Sequence, residues 1–297
     1  MSPYKMVDTH CHLDLDTVLV DSLNDSFTIS KSIFNQLTHN ICIASLDYQN
    51  LKAILKIKLN FDKIYCLNIS KGNNCFTEEN IENNLKLANN KLYIGAGIHP
   101  MYIKEEQANE QNKLLDNEFD DFESLVTENK LKVSFIGELG IDKRIEQRIP
   151  LKLQELVLKK QMSLAKTLNK NVVLHCIGRY NSLIEVLKEY KSDVIGIAHG
   201  FTSSYEIAKS LIDLGYKIGV GKHLFGSPKL QDVVKRVGLK NIVIETDGFY
   251  SCKENNENDF VLKQEELINR VNLLSRIFKL DTDTCFEQIY YNSKIIF

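Results

Sequence analysis

Apolar residues in this chain gather into short, unbroken, β-branched runs, separated by longer stretches in which apolar positions recur every three or four residues. The runs lie at 4–8 (YKMVD), 41–45 (ICIAS), 63–69 (KIYCLNI), 92–97 (LYIGAG), 133–137 (VSFIG), 171–174 (NVVL), 194–198 (VIGIA), 216–220 (YKIGV) and 241–245 (NIVIE). Continuous apolarity predicts strands covered on both faces, as in a parallel sheet flanked by helices. The helical stretches have recognisable ends. Pro150 opens PLKLQELVLKKQMSLAKTLN and Pro228, after Ser227, opens PKLQDVVKRVG. Ser203 or Ser204 is placed to cap SYEIAKSLIDL, and Gly215 to stop it. From residue 133 onward the strand–helix unit repeats every ~20–40 residues, the size of a βαβ unit.

The pattern predicts an α/β fold, a (β/α)8 TIM-type barrel, for which ~250 residues is a usual length. Nine strand candidates compete for eight places. The surplus lies in the first hundred residues: either 41–45 or 63–69 is the second strand, and the pattern does not choose. Segments 71–80, 104–121 and 251–260 read as rim loops or short surface helices, and two helices, near 262–280 and 283–296, close the chain. No repeat, linker or low-complexity tract interrupts it, so residues 1–297 are expected to form a single domain.

Composition narrows the functional classes. With 43% hydrophobic and 26% charged residues the chain has the make-up of an ordinary globular protein. Its net charge of −2 argues against a continuous basic stripe along a nucleic-acid backbone, so any grip on nucleic acid has to be local. Seven cysteines without a CxxC pair predict free thiols in a reducing, cytoplasmic setting. No apolar window approaches the ~18 residues of a membrane span, and the N-terminus runs almost at once into a strand, without the marks of a targeting peptide.

The chemistry sits at the ends of the runs. A barrel brings the C-terminal ends of all its strands to one rim, so residues distant in sequence can converge there. His10 and His12 flank Cys11. Alternation along a strand sends both imidazoles to one side and Cys11 to the other, and paired imidazoles suit Zn²⁺, Mn²⁺ or Fe²⁺. Glu138 follows the fifth run between Gly137 and Gly140, where a carboxylate can bridge two cations. His175 and His199 end two successive runs, while Cys176 should face the helices as packing. Glu245 and Asp247 share a face. Asp247, nearer the mouth, is the expected metal ligand and general base, and Glu245 would orient a ligand or water. His99 in GIHP also follows a run and is placed to touch substrate. His39 reads as a surface residue, and His223, in the loop after GVG, as a rim contact. Neither a GxSxG elbow nor a Gly-rich phosphate loop is present.

Taken in order, DTHCHLD, GIHP, GELGID, LHC, HGF and ETD, with a closing YNSKIIF, resemble the TatD-related hydrolases, a family of amidohydrolase-like metal barrels. The resemblance runs from about residue 6 to the C-terminus, and six ordered motifs are far more specific than any one. It implies up to two divalent metal ions (Mg, Mn or Zn). His10, His12, Glu138 and Asp247 would hold one, and Glu138, His175 and His199 the other. It also implies deoxyribonuclease activity, with DNA as substrate and a metal-activated water as nucleophile. Arg179, Lys222 and His223 are expected near the phosphate. Departures are Ile177 where an Arg is common, Gly248-Phe249 after ETD, and a longer region 15–90. These leave the metal set whole but open the substrate question. The alternatives are hydrolysis of a carboxylic ester or amide, such as an aminoacyl ester, or a non-catalytic binding protein that retains the barrel.

Overall fold

A computed structural model describes residues 6–14, 19–21, 26–28, 40–55, 92–104, 113–251 and 257–296. Eight parallel strands form a nearly closed barrel: β1 (Val7–Asp14), β2 (Asn40–Ala44), β3 (Leu92–Ala96), β4 (Val133–Asp142), β5 (Val172–Ile177), β6 (Gly196–Ala198), β7 (Tyr216–Val220) and β8 (Ile242–Ile244). Each pairs with its predecessor in sequence. The run at 41–45 thus supplies the second strand, paired with β1 on one side and β3 on the other. The rival run at 63–69 lies outside the described residues, as does His39.

Closure is made by the segment after β8. Phe249–Ser251 pairs in parallel with β1, with His12 opposite Phe249. Between the two pairings lies the Glu245–Gly248 kink. Its backbone is tied to β1 by Asp247 N–H to His10 O (3.0 Å) and His12 N–H to Gly248 O (2.9 Å). Side chains complete the seam. The buried Asp8 carboxylate accepts from Thr246 N (2.8 Å) and Thr246 Oγ1 (2.6 Å), and Thr9 Oγ1 donates to Ile244 O (2.9 Å).

Strand alternation sorts the apolar residues into two layers. Val7, Cys42, Ala44, Tyr93, Phe135, Val173, Ile197 and Val243 fill the barrel interior. The opposite faces pack on the helices in one large cluster that includes Cys11, Ile94, Ile136, Leu174, Cys176 and Ile218. Cys11 and Cys176 therefore pack outward, as alternation predicts. Helix Leu151–Leu168 buries Leu153, Gln154, Val157, Leu158, Gln161, Met162, Leu164 and Ala165, a stripe at the helical period, and ends at Asn169 in the left-handed conformation (φ 51°). Ser204, not Ser203, caps helix Tyr205–Asp213, and Ser227 caps Pro228–Val237. The closing helices are Glu257–Phe278 and Thr282–Ser293. Among the described residues no helix is long and apolar enough to cross a membrane.

Candidate metal centre

The rim is irregular at the strands that carry its ligating side chains. Pairing of β1 with β2 slips between Asp8 and Cys11, and pairing of β4 with β5 slips between Ile136 and Leu139. Such bulges re-aim side chains beside functional sites. The first bulge holds His10 and the second holds Glu138. Gly140 permits the close approach of β4 to β5 that this requires, since a Cβ there would lie 1.8 Å from His175 O. Asp247 stands in the left-handed region (φ 52°), a conformation Asp tolerates better than most residues, at the turn of the closing kink.

These elements converge on one carboxylate. Glu138 is 2% exposed. Its Oε2 lies 3.2 Å from His10 Nε2 and 3.5 Å from His12 Nε2. Its Oε1 lies 2.7 Å from His175 Nδ1, 2.7 Å from His199 Nε2 and 3.3 Å from His99 Nε2. Asp247 closes the first group, with Oδ1 3.6 Å from His10 Nε2 and 4.0 Å from His12 Nε2. Unlike the others it is 43% exposed in its side chain and faces the mouth. His10, His12, Glu138, His175, His199 and Asp247 are thus brought together, and three overlapping groups, one including His99, could each hold a metal ion.

Hydrogen-bond partners assign the ring nitrogens. His12 Nδ1 faces Ala44 O (3.3 Å), so it carries the proton and leaves the Nε2 lone pair toward Glu138 and Asp247. His175 Nε2 donates to Asp142 Oδ2 (3.1 Å), which turns Nδ1 inward. His99 is the reverse case: its Nδ1 accepts from Met101 N (3.1 Å), so Nε2 carries the proton and points a donor, not a lone pair, at Glu138. Sequence placed His99 at the rim; the structure puts it inside the cluster.

The electrostatics follow from one buried anion among five imidazoles. Burial opposes ionisation of Glu138, but His199 and His10 pull its carboxyl well below the usual range. Burial likewise opposes protonation of His199, yet Glu138 raises it to about 10. His10 falls to about 4 through burial reinforced by His199. Metal ligation requires unprotonated imidazoles, so a bound cation would displace protons here. Nδ1 of His10 and Nδ1 of His199, both buried, have no hydrogen-bond partner. Buried unpartnered ring nitrogens, several imidazole and carboxylate groups within reach of one another, and an acid with one oxygen toward each imidazole set together fit a divalent metal ion.

A supporting layer holds this geometry. Asp142, fully buried, is gripped by Arg144 through Nε and Nη2 (3.0 and 2.5 Å). Burial opposes its ionisation, but the bonds from His175 and Arg144 hold it below the usual carboxylate range. Two buried glutamines of helix Leu151–Leu168 clamp rim loops. Gln154 accepts from Asp142 N (2.8 Å) and donates to Asp142 O (3.2 Å); Gln161 does the same for Ile98 N and O (2.8 and 3.1 Å), beside His99. Glu245 accepts from Gly200 N (2.5 Å), and burial raises its pKa to about 8. Sequence reasoning missed Asp142, Gln154 and Gln161. Asp142 could have been found, because alternation along GELGID aligns positions 138, 140 and 142. The glutamines, polar residues seven apart on an apolar face, were a fainter signal.

The Arg179 guanidinium is paired bidentately with Glu146, Nη2 to Oε2 at 2.6 Å. Lys222 and His223 are exposed at the start of the short helix His223–Gly226, after β7.

Comparison with known proteins agrees with this architecture. A curated relative from Escherichia coli (strain K12), named uncharacterized metal-dependent hydrolase YjjV, is 30% identical over 174 residues, 57% of this chain and 64% of that protein. An uncharacterized metal-dependent hydrolase of Haemophilus influenzae gives 30% over 173 residues, 57% of this chain and 63% of that one. The chain thus spans less than two thirds of the length of each. A putative deoxyribonuclease TATDN1 homolog from Enterocytozoon bieneusi is 30% identical over 216 residues, 65% of this chain and 76% of its own. Among solved structures, a hydrolase TatD family protein from Entamoeba histolytica superposes with a TM-score of 0.70 at 18% identity, covering 100% of this chain and 99% of that one. The family model described as TatD related DNase matches residues 7–297. The chain belongs to the TatD-related DNase family.

Proposed function

We propose that this protein is a metal-dependent phosphodiesterase acting on DNA in the cytoplasm, with residues 1–297 forming one barrel domain. The observation that carries the reading is Glu138, set between two sets of imidazoles with a different oxygen toward each. A divalent ion held by these residues (Mg, Mn or Zn) supplies Lewis acidity and a water that ionises near neutral pH. The protein's own groups do the rest. His10, His12, Glu138 and Asp247 form one ligand group; Glu138, His175 and His199 form the other. Asp142 fixes the His175 tautomer that turns Nδ1 into the site. Asp247, the exposed acid at the mouth, accepts the proton of the attacking water at Oδ2, the oxygen left free by the ligand group, and returns it to the leaving oxygen. His99, its Nδ1 occupied, keeps Nε2–H aimed into the site at Glu138 Oε1, where a phosphoryl oxygen of the substrate would share that donor. Glu245 anchors the loop behind His199 through Gly200 N.

One observation favours a second reading, hydrolysis of a carboxylic ester or amide: the Arg179 guanidinium is already matched by Glu146 and is not idle to meet phosphate. A hydrolysis panel separates the two. Chelated protein is supplemented with Mg²⁺, Mn²⁺ or Zn²⁺ and given single- and double-stranded DNA, RNA, bis-p-nitrophenyl phosphate and a carboxylic ester. DNA and the phosphodiester should be cleaved only with metal. Turnover persisting in excess chelator would end the metal mechanism, and ester cleavage alone would replace the nuclease reading.

A further inference from the structure

Apart from the histidine cluster, a cavity of about 390 Å³ lies between the loop after β7 and the helix Glu257–Phe278, lined by Lys222, Phe225, Glu266, Asn269, Arg270 and Arg276. Among the described residues three cations here face one carboxylate. Arg270 is the telling member. It is 1% exposed, and Nη2 donates to Glu266 Oε2 at 3.0 Å. Its Nε and Nη1 are buried without any hydrogen-bond partner. A buried guanidinium with idle donors costs stability, and the core does not require it, since Leu267, Val271 and Leu274 already supply the buried face of that helix. Glu266 cannot balance the group alone, being 44% exposed in its side chain and also 3.9 Å from Lys263. Among the described residues the groove is left with net positive charge beside unpaired N–H donors, a combination suited to phosphate oxygens.

Size and position refine the ligand. The volume falls in the range that holds small organic ligands, ~300–1,000 Å³, more than a bare phosphate needs. Phe225, 47% exposed, offers a ring in the same cavity, with the Arg270 guanidinium carbon 6.0 Å from its centroid. Aromatic rings of this kind stack nucleobases regardless of sequence. Lys222 stands two residues beyond the rim end of β7, and a Cβ on Gly221 between them would come within 3.6 Å of Glu245 Oε1. One wall of the groove therefore belongs to the same rim as the metal centre. The other extends from Glu266 to Arg276, ten residues or ~15 Å of helix.

We propose that this groove binds a nucleotide unit of the substrate strand away from the scissile bond, its phosphate on Arg270 and Arg276 and its base against Phe225. The proposal rests on the nucleic-acid reading above. The test is the affinity of a short fluorescent single strand, read by anisotropy in excess chelator, where no turnover occurs. Arg276→Glu and Phe225→Ala should each weaken binding about tenfold, a typical worth of a stacked base. Arg276→Glu should also make the salt dependence of log Kd shallower by about 1, the loss of one phosphate contact. Arg270→Gln should match it, with a thermal melt as the control for folding; if it does not fold, the two exposed positions decide. Wild-type affinity in both Arg276→Glu and Phe225→Ala overturns the proposal. So does inorganic phosphate that stabilises the wild type but not Arg276→Glu while strand affinity is unchanged, because the groove would then take free phosphate. Binding and hydrolysis fail separately. Variant-sensitive binding without any nuclease activity sinks the function reading and keeps the groove; normal cleavage with variant-insensitive binding does the opposite.

Discussion

Replacing Glu245 with Gln should change how the stability of the metal-free protein depends on pH. Glu245 is fully buried, Oε1 takes the Gly200 N–H at 2.5 Å, and Oε2 has no hydrogen-bond partner. Burial raises its pKa from 4.5 to about 8, with His199 opposing. A raised pKa means the folded state favours the protonated acid. The associated stability is complete below pH 4.5 and is lost as pH climbs through about 8. Each pKa unit is worth about 1.4 kcal/mol, so the wild type should lose on the order of 3–4 kcal/mol from this group between pH 5 and 8. Gln fills the same volume and keeps an oxygen for Gly200, but it brings two donors to a place without acceptors. That adds a fixed cost of about 1–3 kcal/mol, independent of pH. The slope, not the offset, is therefore diagnostic. Urea unfolding midpoints of both proteins, in excess chelator across this range, should show Glu245→Gln gaining on the wild type as pH rises and levelling off above about pH 8. A stability difference that stays constant, or that shrinks with pH, would refute the assignment of a buried neutral acid behind His199.

Other outcomes follow from the same geometry. His175→Ala should lower metal-supported hydrolysis by about a hundredfold or more with the circular dichroism spectrum unchanged, because it removes a proposed ligand rather than core volume; an unaltered rate would remove His175 from the site. Asp142→Asn should weaken metal affinity about 10–100-fold, measured by competition with a chromophoric chelator, since the His175 tautomer loses its ionised partner. Asp8→Ala should cost about 2–4 kcal/mol in chemical unfolding, because two buried Thr246 donors lose their acceptor at the barrel seam. Burial raises Cys176 to about 12 and Cys285 to about 11, and raises Cys11 and Cys42 well above the usual thiol range. All four are buried, so mass spectrometry after native labelling at neutral pH should find them unmodified, and modified only after denaturant.

Much of the site was legible before the fold was known. His10, His12, Glu138, His175, His199 and Asp247 each end an apolar run, and a parallel barrel has only one rim to which such ends can go. Alternation alone separated His10 and His12 from Cys11. Less legible was His99, which sequence assigned to the rim and the structure places 3.3 Å from Glu138. Its Met101 partner sits in a local turn whose geometry no periodicity reports. The pairing of Arg179 with Glu146, 33 residues earlier, was likewise invisible in the linear pattern.

Local sequence determined what most segments would become, because strand, helix and cap preferences act over a few neighbouring residues: eight of the predicted runs appear as barrel strands, and helices begin and end near their Pro, Ser and Gly signals; the exception is Lys113–Glu128, part of a stretch expected to be rim loop or short surface helix, which forms a 16-residue helix burying Phe119, Phe122 and Val126. Tertiary structure alone decided that residues 40–44 fill the second place in the barrel. It also decided that the barrel closes through an Asp8–Thr246 contact spanning 238 positions, and which nitrogen of each histidine faces inward. Those outcomes depend on which donor meets which acceptor across strands far apart in the chain, and bulges that shift register by a residue are set by the packing of both partners rather than by either sequence alone.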